Sequence, residues 1–348
     1  MSKRLAVCFD GTWNKANDSN GDPDPAAKAR SAEGKVDTNV ARLHRAVADR
    51  GSDGRAQESK YIAGVGTRWF ERVLGGLTGA GVSNNMMSGY RFLAERYEPG
   101  DEIFIVGFSR GAYTARALSA LLAKCGLVPG AAVTDEAITN AYIYYANRDV
   151  DATAFKARCH DAHVRFLGVW DTVGALGVPG RALDGLNDVL FEFRDRTLSP
   201  AVDAAYHAIA VDEHRRDYEA TVWDHTSRAD QVIEQRWFAG DHCDVGGGHT
   251  PGGASVSDIP LRWMLERARA AGLGLRPGSV PDDLAACLTE ACHDTYAKFL
   301  GGTYAHRNAR HYRPIREGVA GEVVDESVYE RREADPTYRP QNPGLRPL

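Results

Sequence analysis

Residues 103–112, Ile-Phe-Ile-Val-Gly-Phe-Ser-Arg-Gly-Ala, decide the fold. The leading apolar run reads as a strand buried on both faces, and Tyr113 to Lys124, rich in Ala and Leu, reads as a helix. Between them stands Gly107-Phe108-Ser109-Arg110-Gly111, a Gly-x-Ser-x-Gly pattern. A strand, a turn too tight for side chains at its two flanks, and a helix together make a nucleophile elbow. The elbow would hold Ser109 Oγ clear of the backbone at a helix N-terminus. There the Arg110 amide faces a developing oxyanion and the helix dipole favours negative charge. A candidate nucleophile and half an oxyanion hole thus lie within a few residues.

Outward from the elbow, strand and helix patterns alternate. Strands are expected at Leu5–Phe9, Tyr61–Val65, Ile103–Val106, Val164–Trp170 and Val232–Phe238. Helices are expected from Thr38 to Ala48, Ser83 to Tyr97, Asp135 to Asn147, Ala201 to His214, Ile259 to Ala271 and Asp282 to Lys298. Such alternation predicts a mainly parallel central sheet with helices on both faces, and the elbow within it makes the expected fold α/β-hydrolase-like. Residues 1–330 read as a single domain, with 175–230 as a loop and helix lid insertion broken by Gly and Pro. Residues 15–35 read as a long surface loop, and Gly75 to Gly81 as a flexible loop bordering the site. The tail 331–348 reads as surface-wrapping or disordered.

Composition excludes several function classes. The 348 residues are 43% hydrophobic, enough for a substantial core, so disorder of the whole chain is excluded. A net charge of −5 without a sustained basic run argues against a nucleic-acid partner. Leu5–Phe9 is too short for a signal-peptide core and no stretch is long and apolar enough to span a membrane, which predicts a soluble, cytoplasmic protein. The six cysteines lack paired spacing and read as reduced thiols. Cys287 and Cys292-His293 suggest a metal site, but they fall on a helical pattern with no second ligand pair and read as core packing. No cofactor and no metal are expected.

The carboxyl ends of parallel strands share one sheet edge, so loops far apart in sequence meet there. Those loops carry Asp10-Gly11-Thr12, Ser109, Asp171 and the run Asp241-His242-Cys243-Asp244-Val245-Gly246-Gly247-Gly248-His249. A serine needs a base, and the base needs a carboxylate to fix its tautomer and stabilise its positive charge. Ser109, Asp171 and His242, in this chain order, are the candidate triad. His249 is the alternative base, and Asp244 or Asp241 the alternative acid. The second oxyanion donor is expected from Gly11 or Thr12, with Asp10 holding the turn. His207, His214 and His225 read as structural or surface residues.

Two other classes stay open. Asp10, Asp171, His242, Asp244 and His249 could serve a metal-dependent hydrolase. A hydrolase fold could also persist as an inactive binding module. A haloacid-dehalogenase phosphatase is excluded, since Cys8 stands where its nucleophilic aspartate belongs.

Four motifs carry a family resemblance: Phe9-Asp10-Gly11-Thr12-Trp13-Asn14, Gly107 to Ala112, Gly168-Val169-Trp170-Asp171-Thr172-Val173-Gly174, and Phe238 to Gly248. Together, over residues 1 to about 325, the chain resembles the α/β-hydrolase catalytic domain of type VI secretion phospholipase effectors and their uncharacterised relatives. The resemblance implies a Ser-Asp-His lipolytic hydrolase with Ser109, Asp171 and His242 in those roles, and an ester or lipid substrate. It further implies transient contact with a membrane surface, an immunity protein as partner and delivery by a specialised secretion system. The large membrane-targeting region that such effectors carry beyond this domain is expected to be absent.

Overall fold

The computed structural model describes residues 2–11, 37–64, 80–147, 149–173, 196–249 and 255–347. Strand β1 (Arg4–Phe9) is buried at every position. Its alternating side chains feed two cores: Leu5, Val7 and Phe9 point to one face, Ala6 and Cys8 to the other. Beside it lie β2 (Gln57–Ile62), β3 (Glu102–Phe108), β4 (Val164–Trp170), β5 (Ala204–Ala210), β6 (Val232–Phe238) and β7 (Glu322–Val324), in the spatial order β2-β1-β3-β4-β5-β6-β7. Every pairing between neighbours is parallel.

Helices cover both faces, as a fully buried parallel sheet requires. On the Leu5 face pack α2 (Ala80–Arg96), α3 (Arg110–Cys125) and α4 (Asp135–Ala146), through Tyr90 and Leu93, Leu118 and Leu121, and Ile138. On the other face, α1 (Asn39–Ala46) brings Val40 and Leu43, and α6 (Asp258–Ala270) brings Met264 and Leu265. The short α5 (His242–Gly246) follows β6, and α7 (Glu326–Ala334) follows β7. Thr38 caps α1 by accepting the Ala41 amide, a bond worth about 1 kcal/mol. This architecture is α/β-hydrolase-like.

From β1 the chain lays β2 on one side, then returns to lay β3 on the other, where Phe9 is opposite Gly107. The strand order therefore reverses between β1 and β3, and the crevice beyond their carboxyl ends is where open α/β sheets place ligands. The Asp10 loop and Ser109 flank that crevice.

Several sequence expectations are corrected. Residues 201–214, expected as a helix, contain β5 in the sheet interior. Ala205, Ala208, Ile209 and Ala210 are each 0% exposed there, and pairing on both edges overrides the helical preference of alanine. The lid span 175–230 thus includes a central strand, while residues 174–195 lie outside the described residues. Strand β2 begins at Gln57 rather than Tyr61, because an edge strand with the polar run Gln-Glu-Ser-Lys carries little apolar signal. Residues 282–298 are not one helix. The chain leaves helix Ala285–Thr289 at Glu290, and Asp294 caps a new helix, Thr295–Lys298. Strand β7 is too short for its pattern to register.

Helix α7 crosses the expected boundary at 330, and the tail beyond it packs back on the domain. Buried Asn342 donates to the Val211 and Arg313 carbonyls. The expected loop 15–35 and the glycines from 75 to 79 lie outside the described residues. Among the described helices none is long and apolar enough to cross a membrane.

Candidate active site

The elbow is built by close approach. A Cβ at Gly107 would lie 2.4 Å from the Gly111 oxygen, and one at Gly111 would lie 2.3 Å from the Phe9 oxygen. Only glycine lets α3 start this hard against the end of β1. Ser109, between them, takes φ 58° and ψ −122°, a conformation that costs a non-glycine residue about 1–3 kcal/mol. Its amide donates to the Trp170 carbonyl at 3.0 Å, fastening the elbow to the end of β4.

Asp171 is the next residue after Trp170 and also has positive φ, 39°. Its side chain is fully buried, yet each oxygen is satisfied. Oδ1 accepts from the Ala210 amide at 3.0 Å and from Arg313 Nη1 at 2.7 Å. Oδ2 accepts from His242 Nδ1 at 2.5 Å and from Arg313 Nη2 at 3.1 Å. Burial alone would push this carboxyl up, but the Arg313 and His242 charges and hydrogen bonds outweigh it and hold it well below the usual carboxylate range.

His242 opens α5. Asp241 caps that helix by accepting the Cys243 and Asp244 amides, and the Asp244 carboxylate accepts the Asp241 amide in return. The His242 ring packs between Phe108 at 4.6 Å and Tyr218 at 5.3 Å between centroids. Tyr218 is in turn covered by the Arg215 guanidinium 3.5 Å above its ring, and Arg215 is paired with buried Glu213 at 2.6 Å. A Cβ on Gly246 would lie 1.9 Å from the Phe108 ring, so the glycine run lets α5 press the histidine against the elbow strand. With Nδ1 bonded to Asp171, Nε2 is the atom left for a proton from a neighbouring hydroxyl.

The alternative residues are engaged elsewhere. His249 Nε2 bonds Asp241 Oδ1 at 3.0 Å, and Asp244 Oδ1 accepts His293 Nδ1 at 2.7 Å. Neither carboxylate has a bond to His242 among the described residues. The metal-hydrolase set of Asp10, Asp171, His242, Asp244 and His249 does not converge. Arg313 and His242 occupy Asp171, and among the described residues the ligand-type atoms that do gather belong to Asp244, His249 and His293. His207 is buried on β5, where it accepts the Thr172 amide at 3.0 Å, and burial pushes its imidazole down to about 3. His214 bonds the His311 carbonyl and His225 bonds Thr197, both as structural partners.

Asp10 ends β1 and is almost fully buried. Its Oδ2 accepts from Thr38 Oγ1 at 2.8 Å and Tyr61 Oη at 2.5 Å, and Oδ1 accepts the Gly11 amide at 2.6 Å. Burial nevertheless pushes its carboxyl up to about 6. The Gly11 amide is therefore turned to its own neighbour rather than toward the elbow. Thr12 lies outside the described residues.

Sequence reasoning missed Arg313 and Tyr218, and it assigned His293 to core packing. Arg313 lies in a segment without regular structure or motif; only the rule that a buried carboxylate needs a counter-charge could have prompted a search for it. His293 was masked by the false helical pattern across 282–298.

A family model described as T6SS, Phospholipase effector Tle1-like, catalytic domain, matches residues 3–267. The chain is 26% identical over 247 residues to the Uncharacterized protein YEL023C of Saccharomyces cerevisiae, a match covering 62% of this chain and 32% of that protein. An uncharacterized protein from Pseudomonas aeruginosa superposes with a TM-score of 0.50 at 20% identity, covering 89% of this chain and 51% of that one. The Tle1 effector bound to the VgrG spike of the type 6 secretion system superposes with a TM-score of 0.41 at 20% identity, covering 73% of this chain and 52% of that one. The chain thus spans about a third of the curated relative and about half of each structural one. With the family model matching most of its length, the chain belongs to the Tle1-like catalytic-domain family of type VI secretion phospholipase effectors.

Proposed function

We propose that this chain is a serine hydrolase that cleaves carboxylic esters, with a lipid or phospholipid as substrate. The observation that carries the reading is the 2.5 Å bond between His242 Nδ1 and buried Asp171 beside an elbow whose serine stands at φ 58°. Family membership supports the lipolytic class.

In this mechanism His242 Nε2 takes the Ser109 proton as Oγ attacks the ester carbonyl carbon. The tetrahedral oxyanion is held by the Arg110 amide and a second donor from the Asp10 loop. His242 then returns the proton to the departing alkoxide, leaving an acyl-enzyme. Water, deprotonated by the same imidazole, releases the acid and restores Ser109. Asp171 keeps the imidazole oriented and stabilises its cationic form. The sheet and its helices, with the tail beyond residue 330 packed back on them, act as one α/β-hydrolase-like domain. Substrate is taken from a membrane surface during transient contact, and an immunity protein protects the producing cell.

The test is covalent labelling with a fluorophosphonate, followed by turnover of p-nitrophenyl esters of rising chain length beside phospholipid vesicles. A single adduct on Ser109 and hydrolysis of at least one substrate class are expected. Hydrolysis with no adduct, abolished by a chelator, would overturn the serine mechanism. Preference for vesicles over short esters would fix the phospholipid assignment.

A further inference from the structure

Four side chains with metal-ligating chemistry gather around the cap of α5, and the mechanism above uses none of them. Asp244, His249 and His293 offer one ligand atom each, all within 4.8 Å of one another. Asp241 adjoins them through His249. Their supports differ: Asp241 and Asp244 belong to the cap of α5, His249 follows the glycine run, and His293 lies between the helices 285–289 and 295–298. Two stretches of chain far apart in sequence, 241–249 and the segment at 293, therefore bring polar groups to one point.

The two imidazoles lie face to face, centroids 3.8 Å apart and only 13° from parallel. Electrostatics favours offset or edge-to-face rings over this stack, and two imidazolium ions would repel each other there. What holds the rings is the carboxylate on each: His249 Nε2 on Asp241 at 3.0 Å, His293 Nδ1 on Asp244 at 2.7 Å. Asp244 is anchored besides by the Asp241 and His293 amides, at 3.1 and 2.8 Å, so its carboxylate is oriented before any ligand arrives. Its side chain is almost fully buried, whereas those of His249 and His293 are 27% and 38% exposed, leaving a route for entry.

We propose that Asp244, His249 and His293 bind one first-row divalent cation of the Zn²⁺ type, at a site beside the Ser109 centre and separate from it. Two imidazole nitrogens and one carboxylate oxygen suit Zn²⁺, Co²⁺ or Ni²⁺. They do not suit Ca²⁺, which needs six to eight oxygens, or Mg²⁺, which prefers water and carboxylates. Ligand atoms about 2.0–2.2 Å from a tetrahedral ion lie roughly 3.4 Å apart, so from separations within 4.8 Å the widest closes by about 1.4 Å at most, while the 2.7 Å His293–Asp244 contact opens to admit the ion. The cation takes the place of the proton between His293 Nδ1 and Asp244 Oδ1, water fills the remaining position, and Asp241 stays on the outer side as a hydrogen-bond partner. Its effect is to tie the loop after α5 to the segment at 293, which fixes the helix that presents His242.

The test needs no hydrolase assay, so it stands or falls apart from the proposed function. Full-length protein is stripped with EDTA, dialysed and titrated with ZnCl₂ by calorimetry, alongside His249→Ala, His293→Ala and the double variant. One equivalent per chain is expected for the wild type. Each single variant should bind at least ~10-fold more weakly and the double variant should show no site of that affinity. Both histidines are partly exposed, so their truncation leaves the core intact, and thermal melts of the stripped proteins should agree. A second readout is Co²⁺, which should give the intense visible bands of a four-coordinate site in the wild type and only the weak spectrum of the hydrated ion in His293→Ala. Stoichiometric binding that survives the double variant, or a Co²⁺ spectrum indifferent to His293, would overturn the proposal. So would an absence of saturable binding by the wild type.

Discussion

Arg313 grips Asp171 with both ends of its guanidinium, Nη1 to Oδ1 at 2.7 Å and Nη2 to Oδ2 at 3.1 Å, and neither side chain is exposed to solvent. An acid that only oriented a histidine would need no such partner. At this depth, however, an aspartate without a counter-charge would take up a proton and lose its ability to stabilise an imidazolium. The guanidinium keeps the carboxylate ionised and leaves its second oxygen in line with His242.

Arg313→Met is therefore expected to cost about 3–5 kcal/mol, the penalty for leaving one member of a buried pair alone. The pH dependence follows from the sign of the Asp171 shift. Its carboxyl is depressed in the folded state, so its contribution to stability is present above the unfolded value near 3.9 and is lost as pH falls through the folded value. Without Arg313, burial dominates and protonation moves to higher pH. Acid titration followed by circular dichroism should show the unfolding midpoint of the variant shifted upward. A midpoint unmoved from wild type would show that the pair does not hold the charge.

Ser109→Ala should lower kcat by about 10⁴ to 10⁶ while leaving the melting temperature nearly unchanged. The hydroxyl contributes little to packing, and alanine inherits the same positive φ. His242→Ala should lose nearly as much, and the double variant no more than either alone, because residues of one catalytic unit are not additive. Ester turnover by Ser109→Ala within tenfold of wild type would remove the serine from the mechanism.

Gly246→Ala tests how α5 presents the proposed base, His242. Its new Cβ would fall inside the Phe108 ring, and Phe108 packs on His242. A loss of about 1–3 kcal/mol is expected from overpacking, with a fall in kcat larger than the change in KM as the imidazole is displaced. Urea unfolding and steady-state kinetics on one preparation measure both. An unchanged kcat in a destabilised variant would separate the packing of α5 from the position of the base.

Asp10→Asn addresses the loop beside the elbow. Because the Asp10 carboxyl is raised to about 6, its contribution to stability is fully present below the unfolded value near 3.9 and is lost as pH rises through about 6. Asparagine has no such titration. The stability of wild type relative to the variant should fall by roughly 2–3 kcal/mol between about pH 4 and 7. Urea midpoints across that range would reveal it, and a constant difference would mean the carboxylate stays ionised throughout.

A crystal structure with a phosphonate on Ser109 should place its oxygen about 2.7–3.1 Å from the Arg110 amide and from a second amide in the loop after Gly11. Since the Gly11 amide already serves Asp10 Oδ1, Thr12 is the expected donor. An oxygen turned away from this loop would send the second donor elsewhere.

The sequence made the strand-turn-helix around Ser109 legible because glycine at 107 and 111 answers a local steric demand, and local demands leave local patterns. Asp171 and His242 could be read as strand-end residues for the same reason, and they meet as their loops share one sheet edge. The strand at 204–210 was not legible. Alanine is helical by preference, and its place between β4 and β6 depends on partners distant in sequence. Arg313 was invisible for a related reason: its role is defined by a charge 142 residues away, not by its neighbours. The link between His293 and Asp244 likewise depends on an interruption between helices 285–289 and 295–298 that helical periodicity concealed.

The order of synthesis gives the buried guanidinium a further consequence. A ribosome delivers Ser109, Asp171 and His242 before Arg313, so a growing chain can carry the whole proposed triad while its acid still lacks a counter-ion. The pocket for Asp171 cannot close in its ionised form until the segment leading into β7 arrives. Competence to hydrolyse would then be a late event in the life of the nascent chain, withheld until the sheet receives its last strand.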